Sequence, residues 1–223
     1  MAQACARGIA AMIAHLLKLL PLFAASARGG KVLVAYYSEG NHTLALARAV
    51  AGGASAAGAE VRLLSVSEAT FSRDVLWADA VIVGTPVHNA NIAAPMKAWL
   101  DTWDYQHAHL STKVGAPFCT GGHLYGGIES TLRSLTAFFQ IFAMRVVTAE
   151  QDFQPRFPFG VGATTGDPPF DSNAPGHVDS LFLDAGRLLG GRVVREVVLA
   201  VAPPAMTAHA ATANAPVQKL LVA

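Results

Sequence analysis

The sequence predicts an α/β domain built on a doubly wound, five-stranded parallel sheet with helices on both faces. Two observations carry the prediction. Short apolar runs of strand length alternate with stretches of helical periodicity, the rhythm of consecutive βαβ units. The runs are continuous rather than alternating, as strands buried on both faces require. The bulk figures agree: 223 residues, 52% hydrophobic and only 14% charged, suit one well-filled domain.

The first strand is Val32-Leu33-Val34-Ala35-Tyr36-Tyr37. Leu44, Ala47 and Ala51, with Leu46 and Val50, then recur at helical spacing, and Gly52-Gly53 and Gly58 break the pattern, so helix one should end near them. Val61 to Val66 is the second strand, and Ala80-Val81-Ile82-Val83-Gly84 the third, leading into Thr85-Pro86. Pro95 suits a first helical turn, with Met96, Trp99, Leu100 and Trp103 on one apolar face. Val114 to Cys119 is the fourth strand. Pro117 within it removes a ladder donor and argues locally against a central strand, while its place in the βα rhythm argues for one. Ile128, Leu132, Leu135, Phe139 and Phe142 fall at 3.6-residue spacing, followed by a short strand at Met144 to Thr148 and a last helix from about Val178 to Glu196.

The flanks differ from this core. Met1 to Gly30 contains no acidic residue, and Arg7, His15, Lys18 and Arg28 interrupt an Ala- and Leu-rich stretch. Residues 1–30 are therefore expected to be a targeting-like or disordered segment. Ala25-Ser26-Ala27 fits a signal-peptidase site and an amphipathic organellar presequence fits comparably, leaving a soluble cytoplasmic or organellar product. The apolar stretch is too short for an integral membrane span. Residues 201–223, rich in Ala, Pro and Thr without periodicity, are expected to be a flexible tail, which leaves 31–200 as the domain.

Sixteen basic against fifteen acidic residues give a net charge of +1, without the basic stripe a nucleic-acid binder needs. Cys5 and Cys119 lie far apart, and the histidines, including His15, His107 and His109, lack the spacing of a metal site, so neither a disulfide framework nor a metal is expected.

In an open parallel sheet, ligands bind beyond the carboxyl ends of the strands where the strand order reverses. Three loops should meet there. Ser38-Glu39-Gly40-Asn41-His42-Thr43 offers hydroxyls and backbone N–H groups at a helix start, suited to a phosphate or simply to capping the helix. Gly84-Thr85-Pro86-Val87-His88-Asn89-Ala90-Asn91 follows strand three. Cys119-Thr120-Gly121-Gly122-His123-Leu124-Tyr125-Gly126-Gly127 follows strand four, and its clustered glycines let the backbone approach a planar ring. His88 and His123 are candidates for stabilising negative charge on a bound group, or are merely solvated. Trp99 and Trp103, at helical spacing, read as core, and Cys119 as a small buried residue.

Tyr36-Tyr37-Ser38 with His42, Gly84-Thr85-Pro86 with Asn91, Met96 through Trp99-Leu100-Asp101, Gly121-Gly122 then Gly126-Gly127 with Glu129, and Phe159-Gly160 followed by Gly162-Ala163-Thr164-Thr165 together resemble the flavodoxin superfamily, most closely its WrbA-type NAD(P)H:quinone oxidoreductases. The resemblance spans roughly Lys31 to Val198. It implies a flavodoxin-like sheet of order 2-1-3-4-5, FMN as cofactor, NADH or NADPH as electron donor, a small-molecule quinone as acceptor, and a homodimer or homotetramer. By resemblance, Ser38, Glu39, Gly40, Asn41, His42 and Thr43 would hold the FMN phosphate. Thr85, Pro86, Val87, His88 and Asn89 would border the ring, and Thr120, Gly121, Gly122, His123, Leu124 and Tyr125 would meet its polar edge. Two departures stand out: Ile141 or Phe142 falls where the family carries a histidine beside the flavin, and only Ser67 to Asp79 separates strands two and three. The competing functions are a one-electron flavodoxin-type carrier and a flavin-poor scaffold of the same fold.

Overall fold

In a computed structural model, residues 29–106, 108–148, 157–171 and 174–201 are described. The address and tail expected at the two ends therefore lie, but for a few residues, outside the described residues. Residues 28–197 form one unit.

The chain enters the sheet at β1 (Lys31–Tyr36) and continues through α1 (His42–Ala56), β2 (Glu60–Ser65), a π-helical turn (Phe71–Val75) and β3 (Ala80–His88). Next come β4 (Asn91–Ile92), α2 (Ala94–Leu100), a 3-10 turn (Ala108–Thr112), β5 (Val114–Gly121) and α3 (Ile128–Ile141). The short β6 (Arg145–Val146) and β7 (Val161–Thr164) precede α4 (Ser180–Val201). Among the described residues, no helix is long and apolar enough to cross a membrane.

The strands lie in the order β2-β1-β3-β5-β6, all parallel along that path, which is the expected 2-1-3-4-5 winding. Alternate residues of each strand serve opposite layers. Val32, Val34 and Ile82 pack with Leu46 and Val50 of α1 and Phe182, Leu189 and Val193 of α4. Leu33, Ala35, Val81 and Val83 pack with Met96, Trp99 and Leu100 of α2 and Leu135 and Phe139 of α3. Both tryptophans are core: Trp99 donates through Nε1 to the Ala69 carbonyl at 2.9 Å, and its ring meets that of Trp103 edge-on.

Three elements show detail beyond their expected bounds. First, helix α1 ends at Ala56, near the glycines as expected: it runs through Gly52-Gly53, and Gly58, at φ +92°, turns the chain after it. The glycines are used for close packing: a Cβ on Gly53 would lie 2.0 Å from the Arg187 carbonyl oxygen, and one on Gly190 would lie 2.1 Å from that of Val50. The close approach of α4 offsets the roughly 1 kcal/mol that glycine costs inside a helix.

Second, the expected fourth strand forms with Pro117 in it, and it is central and fully buried. Val114 N donates toward β3, at Asp79 O, while the carbonyls of Lys113 and Gly115 face β6, accepting from Arg145 N and Val147 N. Since successive residues of a parallel strand alternate sides, Pro117 also faces outward. There β6 has ended at Val146 and β7 has not begun, because its pairing starts at Phe118 with Val161. The missing N–H therefore costs no ladder bond.

Third, the fifth strand position, expected as one strand at Met144 to Thr148, is shared by two short strands. β6 covers one end of β5 and β7 the end nearest the ligand-binding edge.

Candidate functional site

The site is built where β1, β3 and β5 end, and each of its three loops is fastened to the other two. The first loop opens α1. Asn41 takes a left-handed conformation (φ +64°) and leaves the helix start without a side-chain cap, and no acidic residue occupies the first turn. Ser38 Oγ reaches forward to accept from Leu44 N at 3.3 Å. The His42 ring lies beside Gly40, its Nδ1 only 3.2 Å from where a Cβ on that glycine would be. Its other nitrogen, Nε2, is buried with no hydrogen-bond partner. A buried polar atom left without a partner is costly and points to a group that completes it.

The second loop is a tight hairpin. β3 extends to His88, β4 pairs back on it antiparallel, and Asn89 (φ +49°) and Ala90 (φ +61°) form the left-handed pair of a two-residue turn. Thr85, fully buried, accepts from Ala93 N at 3.2 Å and so ties the hairpin to the start of α2. The third loop ends at Gly127 (φ +110°), where any Cβ would fall 2.3 Å from Ala90 Cα, so only glycine lets this loop lie against the hairpin tip.

The links close a triangle. Thr43 Oγ1 and Thr120 Oγ1, both buried, are 2.8 Å apart and join the first loop to the third. Ser130 Oγ donates to the Ala90 carbonyl at 2.7 Å and joins the third to the second. His88 Nε2 lies 3.4 Å from Glu39 Oε2 and spans the second and first, an exposed contact of little energetic weight. The threonine pair spends one hydroxyl hydrogen on itself and keeps the other for a further acceptor.

Gly122 stands on the open side of this triangle, with nothing within 4 Å of where its Cβ would be. His123, Leu124 and Tyr125 follow it. Tyr125 is wholly exposed, and His123 largely so. Cys119 is the opposite: completely buried, its thiol is pushed far above its usual range by desolvation, so it is a packing residue and no nucleophile.

Two segments that sequence reasoning left unassigned belong to the site. Asp167, just beyond β7, holds the third loop through His123 and Leu124. Gly176 N donates to Gly40 O at 2.9 Å and lays the 174–177 stretch along the first loop. Asp167 lies between Gly166 and Pro168-Pro169, which reads as an ordinary turn; its only signal was nearness to Gly162-Ala163-Thr164-Thr165. Ile141 and Phe142 lie at the far end of α3, about 20 Å of helix from its start at the crevice. Ile141 is exposed, and Phe142 joins the aromatic cluster around Trp103. Ile141 shares the cleft between α2 and α3 with Asn91, the last residue of the second loop.

Clefts elsewhere are as large. One of about 650 Å³ lies beside Thr70, Phe71 and Pro95, and one of about 590 Å³ between α2 and α3. Size does not locate the site; the convergence of polar loops at the strand ends does. A cleft of about 380 Å³ lined by Tyr37, Ser38, Asn41, Ser65 and Ser67 abuts the first loop.

The model of the family described as NADPH-dependent FMN reductase matches residues 68–153. The NAD(P)H dehydrogenase (quinone) of Cupriavidus metallidurans is 36% identical over 138 residues, 52% of this chain and 69% of that protein. NAD(P)H dehydrogenase (quinone) 3 of Rhizobium meliloti is 31% identical over 202 residues, 77% of this chain and 93% of that protein. Among solved structures, a flavodoxin, WrbA-like protein from Agrobacterium tumefaciens superposes with a TM-score of 0.55 at 22% identity, covering 75% of this chain and 97% of that one, a likeness of fold alone. Since the match to the Rhizobium meliloti protein takes in nearly its whole length, the chain belongs to the NAD(P)H dehydrogenase (quinone) family.

Proposed function

We propose that this protein is an FMN-dependent oxidoreductase that passes two electrons from NADH or NADPH to small quinones. The observation that carries the reading is the unpartnered, buried Nε2 of His42, set at a helix start whose N-cap residue, Asn41, makes no side-chain cap, beside Ser38 and the Thr43–Thr120 pair. A phosphate suits that setting: the helix start favours negative charge, and imidazole and hydroxyl groups donate to phosphate oxygens. The first loop offers one such cradle and no glycine-rich pyrophosphate turn, which favours FMN over FAD.

Within this proposal Ser38, Glu39, Gly40, Asn41, His42 and Thr43 enclose the phosphate. Pro86, Val87, His88 and Asn89, on the rigid hairpin, border one side of the ring, with the buried Thr85 fixing the hairpin behind them. Thr120 through Tyr125 present backbone groups to its polar edge. FMN, when bound, supplies the hydride and electron chemistry. The chain's part is to bind, orient and leave access: Ala90, Asn91, Gly122 and Gly126 keep the rim low enough for a flat nicotinamide or quinone to reach the ring in turn. A one-electron carrier that encloses its flavin between aromatic side chains would not be built this way, since Tyr125 is the sole aromatic residue of the two ring-facing loops. A second copy of the chain as homodimer or homotetramer partner is part of the same proposal and rests on the family alone.

Titrating the flavin-free protein with FMN, FAD and riboflavin, followed by quenching of flavin fluorescence, tests the site. FMN should bind at least about tenfold more tightly than riboflavin, the margin expected of a few charge-assisted phosphate contacts. Equal affinities, or tighter binding of FAD, would show that the first loop is not a phosphate cradle.

A further inference from the structure

Asp167 makes two polar contacts with the third loop. Its Oδ1 lies 2.8 Å from His123 Nδ1. Its Oδ2 accepts from the backbone N–H of Leu124 and, at 3.1 Å, from the hydroxyl of Thr164 on β7. Thr164 Oγ1 also lies 3.3 Å from the Gly122 carbonyl, and Thr165 N donates to the Gly121 carbonyl at 3.0 Å. The backbone of 121–124 is thus held from one side by a short stretch that begins at β7, with Asp167 as its charged member.

We propose that Asp167 is a positioning residue that fixes both the path of the 122–124 backbone and the tautomer of His123. An ionised carboxylate only accepts hydrogen bonds, so His123 Nδ1 must carry a hydrogen to meet Oδ1 at 2.8 Å. In the neutral ring the bare nitrogen is then Nε2, on the far side from Asp167, and the exposed face of His123 is an acceptor. A ligand lying against this loop meets a nitrogen that takes a hydrogen bond from it, and that becomes a donor when the ring is protonated. The hydrogen bond from His123, followed by that from Leu124 N–H, keeps the Asp167 carboxyl below the usual carboxylate range, so the acceptor-only form persists at neutral pH. The part of this inference that concerns the flavin's polar edge rests on the function proposed above; the part that concerns the tautomer does not.

Two substitutions separate these roles. In Asp167→Asn the amide keeps an oxygen for Leu124 N and Thr164, while its NH2 group can stand where Oδ1 stood and donate to His123 Nδ1. The loop should stay in place and the hydrogen should move to His123 Nε2. In Asp167→Ala both anchors go. Nitrogen-resolved NMR of the full chain, without flavin, should show His123 as the Nδ1–H tautomer in the parent and the Nε2–H tautomer in Asp167→Asn. Exchange of the Leu124 amide hydrogen should accelerate at least about tenfold in Asp167→Ala and stay close to the parent rate in Asp167→Asn. FMN affinity should fall about tenfold or more in Asp167→Ala. An unchanged tautomer in Asp167→Asn would overturn the tautomer assignment, and a parent-like Leu124 exchange rate in Asp167→Ala would overturn the positioning role. If the parent itself bound no FMN, the proposed function would fail, while the tautomer and exchange results would still decide what Asp167 does.

Discussion

Replacing Gly122 with leucine should severely weaken FMN binding while leaving the fold as stable as the parent. Gly122 is exposed, its φ lies outside the left-handed region, and a Cβ there would meet no atom within 4 Å. The polypeptide therefore has no reason of its own for glycine at this position. A ligand lying against the third loop does, since the four heavy atoms of a leucine side chain would project into the space that a flat ring must occupy. We expect FMN affinity to fall at least about a hundredfold, or ~2.7 kcal/mol, with a urea midpoint within experimental scatter of the parent. An affinity that survives the substitution would mean that the ring lies elsewhere.

Replacing Gly53 with alanine should have the opposite signature. Here the added methyl would stand 2.0 Å from the Arg187 carbonyl oxygen and 2.7 Å from its Cα, and these are backbone atoms of α4 that no rotamer change can move aside. Helices α1 and α4 would have to separate, loosening the layer that contains Leu46, Val50, Phe182 and Leu189. A loss of about 3 kcal/mol follows, the upper range for overpacking, even though alanine is the better helix former. Equilibrium unfolding in urea measures it, and a neutral or stabilising result would show that the helices do not approach as closely as described. Any loss of FMN affinity in this variant should follow its loss of fold, whereas in the Gly122 variant the two should part.

These two glycines mark where the sequence was legible and where it was not. The apolar runs at Val32, Ala80 and Val114 read directly as strands because each is buried on both faces, and that at Val61 forms the half-buried edge strand β2. Gly52-Gly53 and Gly58 marked the neighbourhood of the helix end, but that the pair lies inside the helix was not legible, because it is a packing device only in the presence of α4, which is far away in sequence. Pro117 argued against its own strand for the same reason: what excuses it is the gap between β6 and β7, a tertiary fact. The three ligand loops were visible as clusters of Ser, Thr, Asn and Gly beyond strand ends. Their pairwise fastening through Thr43–Thr120, Ser130 to Ala90 and Glu39 to His88 was not, because hydroxyls and carbonyls leave no periodic trace. Asp167 was invisible, being one acidic residue in a Gly-Asp-Pro-Pro turn, 43 positions from the Leu124 amide it holds.

The most direct test of the proposed activity follows the visible absorbance of FMN bound to the protein under anaerobic conditions, first on addition of NADH or NADPH and then of benzoquinone. The account predicts that at least one nucleotide bleaches the flavin and that the quinone restores its absorbance in a single two-electron step. Flavin that neither nucleotide bleaches would contradict it.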